Sequence, residues 1–232
     1  MDGELAELRR LHNSIAGCAQ EAFEVIAPRY VSVFSDTIEQ SGDFPRAMEA
    51  VRYLPLSPRI GKWRDLCIAV ADVQVTVHEL RLGLELLRSP APKGISTGEW
   101  VYYHLDAWYV LLLGLLDRAT KLAKKTARAF VSDGVRREEV LAMATQGLKR
   151  KKQEVWKTRG RVGQAGGPVE VIGRPKQVLG YVLYGVDADW SDLFDQMAAH
   201  QNQWHEFARV LSVGVLEEVD HTAQVLNETI LL

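Results

Sequence analysis

The sequence predicts an all-α protein, a multi-helix bundle built around a long central helix, with little or no sheet. Three observations predict this fold class. Apolar residues recur every three or four positions through most of the 232 residues, which is the period of an α-helix. The hydrophobic content of 47% is ample for a large core. No segment alternates apolar and polar residues for long enough to form a sheet.

Two helices joined by a connector are predicted for the N-terminal part. The first follows a stripe of apolar residues at helical spacing: Leu5, Leu8, Leu11, Ile15, Ala19, Ala22 and Ile26. Pro28 breaks or kinks this helix, so residues 30–38 either continue it or start another. Several glycines and prolines make 41–61 a connector with a short helix near 46–53. A second long stripe then runs over 67–87.

The central helix has the strongest pattern in the chain. Ser96 or Thr97 can cap its start, with Glu99 in its first turn. Its apolar stripe consists of Val101, Leu105, Trp108, Leu112, Leu115, Ala119 and Leu122. The apolar run 107–116 is too short to cross a bilayer, which takes about 20 apolar residues. We therefore expect a buried helix and no membrane partner.

After a turn at Asp133 and Gly134, a basic helix is predicted over 135–157. A long loop is expected over 160–175, where 169–172 can be extended, and a short helix over 176–184.

The last long helix starts at Asp189 or Ser191, and His200 and Gln201 interrupt its apolar stripe. This interruption is interpreted as a polar layer that fixes register, or as a bend. The chain divides into N-terminal helices at 1–95 and a bundle at 96–232, although one continuous domain is the alternative.

Charge is distributed unevenly along the chain. Residues 118–161 hold fourteen Lys and Arg and four acids, a balance of +10, although the whole chain carries −2. From Asp187 to the end there are nine acids and one base, a balance of −8. Clustered positive charge favours a phosphate or another polyanion as partner, but a solvated helix face is the alternative. The acidic helix can lie against the basic one, in the same chain or in a partner.

The candidate binding residues follow from this basic region. Trp156 lies inside it, where an indole can stack on a base or anchor its helix to the bundle. The full candidate set is Lys125, Arg128, Lys149, Arg150, Lys151, Lys152, Trp156, Arg159, Arg161 and Gln164.

Cofactors and disulfides are not expected. Cys18 and Cys67 are far apart and outside any paired motif, which favours two small buried side chains and a cytoplasmic location. Glu218 and His221 have a spacing used by di-iron bundles, but no second copy occurs, so no metal site is predicted.

A helical bundle with a basic third quarter resembles the HEPN domains, helical nucleotide- and RNA-binding modules of defence and toxin systems. Many members carry Arg, four to six residues, then His, after a helix. Here Arg159-Gly160-Arg161-Val162-Gly163-Gln164 has the Arg and the spacing, with Gly160 at the usual Asn position and Gln164 at the His position. Residues 102–106, at the head of the central helix, also look like HEPN families, and the resemblance covers about 96–230.

The resemblance implies a homodimer that binds RNA or a nucleotide. In HEPN ribonucleases two motifs meet across a dimer and cleave RNA without metal. Gln164 has no titratable proton and cannot replace a catalytic His, whereas Arg159 and Arg161 can still stabilise a phosphate. A binder or an impaired enzyme is therefore expected.

Two alternatives remain open. One is a non-enzymatic helical protein-interaction scaffold. The other is a metal-independent ribonuclease in which His104 stands in for the missing His beside Arg159.

Overall fold

The structure is a computed structural model that describes residues 5–52, 54, 58–164 and 191–230. For 58–60, 159–164, 191–193 and 196 it describes the backbone alone. These ranges contain seven α-helices and no strand, which confirms the all-α bundle. The helices are α1 (Ala6–Ser41), α2 (Phe44–Arg52), α3 (Pro58–Arg88), α4 (Thr97–Phe130), α5 (Gly134–Gln164), α6 (Ser191–Ala199) and α7 (Gln201–Ile230).

Pro28 lies within α1, which continues without a break to Ser41. A proline there leaves the carbonyl four residues earlier, that of Glu24, without its usual helical donor. Both residues are exposed, so water can take the place of that donor. The helix ends at Gly42, whose φ of 60° is left-handed and suits glycine. The short helix predicted in the connector is confirmed as α2.

The start of α4 is fixed by a capping box. The backbone N–H of Glu99 donates to the Ser96 hydroxyl at 3.1 Å, and the Ser96 N–H donates to the Glu99 carboxylate at 3.0 Å. The Ser96 alternative for the cap is therefore confirmed. These two bonds satisfy backbone and side-chain groups at once and set the register of the central helix.

The basic helix α5 is longer than predicted. The Asp133 carboxylate accepts from the Arg136 N–H at 2.7 Å and caps the start, as the predicted turn requires. The helix then continues through Gly160 and Gly163 to Gln164, so the loop predicted from residue 160 is wrong over 160–164. Glycine costs only about 1 kcal/mol in a helix, and no proline interrupts this stretch. The predictions for 165–190 lie outside the described residues.

The last helix is divided at His200 into α6 and α7, which confirms the bend interpretation. Gln201 stabilises this division from the side of α3. Its side-chain amide donates to the carbonyls of Leu87 and Ser89, at 2.9 and 3.2 Å. Those carbonyls belong to the C-terminal end of α3, where helical donors are lacking. The interruption of the apolar stripe therefore caps a neighbouring helix.

The core surrounds α4, which contacts α3, α5, α6 and α7. One cluster of buried side chains includes residues from 1–95 and from 96–232. At its centre the Trp108 indole N–H donates to the Ser212 hydroxyl of α7 at 3.0 Å, with both residues fully buried. Cys18 and Cys67 pack partly buried against this cluster. In the described ranges, no helix combines the length and apolar character needed to cross a membrane.

Candidate nucleic-acid interface

The basic region of the sequence becomes a surface shared by α4 and α5. Only residues 131–133 separate the two helices, which pack along each other in opposite directions. Their register is given by an ion pair between Lys152 Nζ and Asp117 Oδ1, at 2.6 Å. Any other pair of side chains along this edge can be placed relative to that contact, with a rise of about 1.5 Å per residue.

Five cations lie along this edge. Lys121, Lys124 and Arg128 follow Asp117 by four, seven and eleven residues, so they share its face of α4, and all three are exposed. Lys149 precedes Lys152 by three residues and shares its face of α5. We call these residues the basic band: Lys121, Lys124, Arg128, Lys149 and Lys152. Asp117 is the carboxylate that the ion pair brings among them.

Trp156 extends the band along α5. It follows Lys149 by seven residues and Lys152 by four, and 53% of its surface is exposed. Trp108 and Trp204 of the core, by contrast, are 0% and 2% exposed. Of the two roles considered for Trp156, an accessible ring beside cations is the one that this exposure favours.

Two other candidate cations form ion pairs with carboxylates of the bundle. Arg150 forms an ion pair with Glu218 of α7 at 2.5 Å, against the backbone of Gly147. Lys151 pairs with Glu154 of its own helix at 2.9 Å. The basic helix thus meets the acidic C-terminal helix within the same chain, one of the two arrangements that the charges allowed. The two carboxylates offset the charges of Arg150 and Lys151, although the Arg150 side chain itself stays exposed.

Lys125 lies on the opposite edge of α4. Its ammonium donates to the carbonyl of Asp65 in α3 at 3.3 Å. Arg118, seven residues earlier, donates to the Thr76 hydroxyl of α3 at 2.6 Å. Of the predicted α4 cations, Arg128 therefore belongs to the band, and Lys125 borders α3.

His104 is placed away from the α5 edge. It is thirteen residues from Asp117, which is about 220° around the helix. Its ring packs against Trp100 with a centroid separation of 4.0 Å, and Trp100 in turn donates to the Leu86 carbonyl of α3. Partial burial lowers the pKa of His104 below its usual 6.5, so the ring is neutral at pH 7. His104 therefore lies on the side of α4 that packs toward α3.

Arg159, Arg161 and Gln164 lie in the last turns of α5, and their side chains fall outside the description. The rise from Lys152 to Gln164 is about 18 Å, equal to the rise from Asp117 back to Leu105. The end of the motif thus comes level with residues 102–106 of α4.

Within the described ranges, no three His, Cys, Asp or Glu side chains converge to hold a metal ion. Lys121 and Lys124 were absent from the predicted binding set. The signal that could have found them is their helical spacing from Asp117 and Arg128 in the C-terminal half of α4.

The comparisons with known proteins give no relatives: no protein-family model, curated protein or solved structure matches the chain significantly.

Proposed function

We propose that this chain is an HEPN-like RNA- or nucleotide-binding protein with impaired catalysis, which binds phosphate groups along the basic band. The observation that carries the proposal is the exposure of the band cations beside Trp156 on one surface of two packed helices. The resemblance to HEPN domains adds a link to defence or toxin–antitoxin systems. A homodimer is part of the same proposal.

The physical basis is electrostatic. Lys and Arg side chains that contact phosphates release bound counterions, which makes the binding strong at low salt and weak at high salt. The band offers positions about 10 Å apart along each helix, from Lys121 to Arg128 and from Lys149 to Trp156. An exposed indole beside them can stack on a base of any sequence, worth about 1–3 kcal/mol per base.

Impaired catalysis is supported by the properties of Gln164 and His104, the two residues considered for proton transfer. Gln164 cannot exchange a proton. His104 can, but it packs on Trp100 and lies about 220° around α4 from the side that meets α5. A ribonuclease that used His104 with Arg159 would need those two side chains on one surface, and the position of His104 on α4 does not favour this.

The test compares binding of labelled single-stranded RNA in EDTA at several salt concentrations. The variant is Lys124→Ala/Lys149→Ala, because both lysines are exposed and neither forms an ion pair within the described residues. The matched control is Lys93→Ala, an exposed lysine in the connector before α4. Each lost phosphate contact should lower the slope of log K against log salt by about 0.7, so the double variant should lose about 1.4.

The same experiment separates the alternatives. Salt-dependent binding that the Lys124/Lys149 variant weakens and the control does not would support the band. Equal binding by all three proteins would exclude it as the site. Cleavage of the RNA that disappears in Arg159→Ala/Arg161→Ala would contradict impaired catalysis and favour the ribonuclease. A mononucleotide competitor added to the bound RNA distinguishes a nucleotide site from one for a polymer.

A further inference from the structure

The outer face of α3 carries apolar side chains that the core does not use. Ile68, Val75 and Leu82 are 50%, 56% and 55% exposed and follow one another at intervals of seven residues. Two α-helical turns separate successive members, so the three form one line along the helix. Exposed apolar lines of this kind, when polar residues border them, mark protein interaction sites.

This line lies beside α4. Two of the residues that follow these members contact α4, because Thr76 accepts a hydrogen bond from Arg118 and the Gly83 backbone lies against Leu111. A rotation of about 100° per residue places Ile68, Val75 and Leu82 next to that contact on the solvent side. The exposed apolar line therefore borders the groove between α3 and α4.

The adjoining face of α4 changes character along its length. Its N-terminal half exposes Tyr103 and Val110, 65% and 53%. Its C-terminal half exposes Lys121 and Arg128. The apolar half of α4 lies level with the C-terminal end of α3, because Gly83 packs against Leu111.

Acids border the apolar line at the same interval. Asp65, Asp72 and Glu79 are exposed and lie three residues before Ile68, Val75 and Leu82, respectively. The contacts Thr76–Arg118 and Asp65–Lys125 set the register of α3 against α4. In that register Asp72 is level with Lys121, and Asp65 is level with Arg128.

We propose that this face binds a second copy of the chain about a two-fold axis that runs along the groove between α3 and α4. Such an axis places α3 of each copy over α4 of the other at the same level. Asp72 then faces Lys121, and Asp65 faces Arg128. Leu82 then meets the exposed Val110 region, and every contact occurs twice.

Charge complementarity selects this arrangement. If α3 packed on α3 in an antiparallel pair centred on Val75, Asp72 would face Glu79, and like charges in contact are unfavourable. The α3-on-α4 arrangement instead pairs each acid with a cation, and it covers apolar surface on both copies. In each half of the interface, α3 of one copy provides the acids and α4 of the other copy provides the cations.

The α5 half of the basic band stays outside this contact. Lys149 and Trp156 lie on the far side of α4 from α3, because α5 packs against the edge of α4 that carries Asp117. Lys121 and Arg128 belong to the basic band as well as to this contact, whereas Lys124, Lys149 and Trp156 lie outside it. The Lys124→Ala/Lys149→Ala variant therefore tests the RNA site without changing a residue of the dimer contact.

The experiment measures molar mass by light scattering over a wide range of protein concentration at low salt, with circular dichroism to verify the fold. The wild type should form a dimer, and Leu82→Asp should be a monomer with the same helical content. The matched control is Val25→Asp on α1. This side chain is 78% exposed and takes no part in the proposed contact between α3 and α4.

Charge exchange tests the partner. Asp72→Lys and Lys121→Asp should each weaken the dimer about tenfold or more, and the double variant should restore it because the pair is reversed. A monomeric wild type at all concentrations would overturn the proposal. A dimer that survives Leu82→Asp, or one that the double exchange does not restore, would equally overturn it.

Discussion

The buried hydrogen bond between Trp108 and Ser212 gives the sharpest test of how α4 meets α7. The residues are 104 positions apart in sequence, the N···O distance is 3.0 Å, and both are 0% exposed. Ser212→Ala removes the acceptor and leaves the indole N–H buried without one. A buried donor without a partner costs about 1–3 kcal/mol. We expect the variant to lose that amount of unfolding free energy.

A second variant isolates the bond from the packing. Trp108→Phe removes both the indole donor and part of a large buried ring, so it should cost about 2–4 kcal/mol, because a cavity remains. Adding Ser212→Ala to Trp108→Phe should cost less than Ser212→Ala alone, because no donor remains to be orphaned. The difference, about 1 kcal/mol, is the coupling energy of the pair.

The assay is urea unfolding followed by circular dichroism, with midpoint and slope fitted separately for the wild type, the two single variants and the double variant. An unchanged slope with a lower midpoint shows that stability changed rather than compactness. In thermal unfolding each 1 kcal/mol should lower the Tm by about 2–4 °C for a chain of this size. A Ser212→Ala loss below about 0.5 kcal/mol, or additive single variants, would contradict this account of the α4–α7 contact.

Two further predictions concern the start of α4. A methyl group on Gly98 would overlap the backbone of Phe194, so Gly98→Ala should destabilise the docking of α6 by about 1–3 kcal/mol and speed hydrogen exchange there. Gly17→Ala, where nothing lies near the added carbon, should instead stabilise α1 by about 0.5–1 kcal/mol, and equal effects at both sites would refute the steric argument. The hydrogen bonds from the backbone and side chain of Ser96 lower the pKa of Glu99 from 4.5, so its contribution is present above that pH and lost as the pH falls through the lowered pKa. The Tm difference between the wild type and Glu99→Gln should therefore shrink on acidification, and a constant difference from neutral to acidic pH would contradict the cap.

Signals that act over a few residues predicted the fold well. The Ser96 cap and the Glu99 side chain three residues later form one turn, and the capping box they make is local. The apolar stripe of α4 likewise needed only the helical period, and Trp108, Leu112 and Leu115 are all fully buried. Such patterns determine an element before any tertiary contact forms, so they can be recognised from sequence.

Proline and glycine were less reliable as predictors of where a helix ends. Gly160 was expected to begin a loop, but α5 continues through it. At Pro28 a break, a kink and a continuing helix were all open, and α1 continues to Ser41. The cost of a glycine is about 1 kcal/mol and that of a proline about 3 kcal/mol, which good helix formers on either side and solvent access can offset. Gln201 shows a feature that local patterns cannot predict. Its hydrogen bonds to the end of α3 join residues more than 110 positions apart.

The candidate site shows why charge alone overstates a binding surface. A count of Lys and Arg weights Arg150 and Lys149 equally, although they are neighbours in sequence. The helix turns about 100° between them, which directs Arg150 to Glu218 of α7 and leaves Lys149 on the α4 edge. Which cation has its charge offset by a carboxylate depends on the partner helix that each one meets, and that is a tertiary property.

The same reasoning separates the two proposals along α4. Its α5 edge carries Lys124, beside Lys149 and Trp156, where a polyanion can bind without contact to α3. Lys121 and Arg128 face solvent between the two edges and belong to both proposals, and Lys121 is level with Asp72, where a second copy would find a complementary charge. A dimer formed at this face would hold two α5 edges in one particle, and a polymer that reached both would bind more tightly than either edge alone. Leu82→Asp should then weaken binding to long RNA more than to short RNA, whereas Lys124→Ala/Lys149→Ala should weaken both. Equal loss for long and short RNA in Leu82→Asp would show that the two edges act independently.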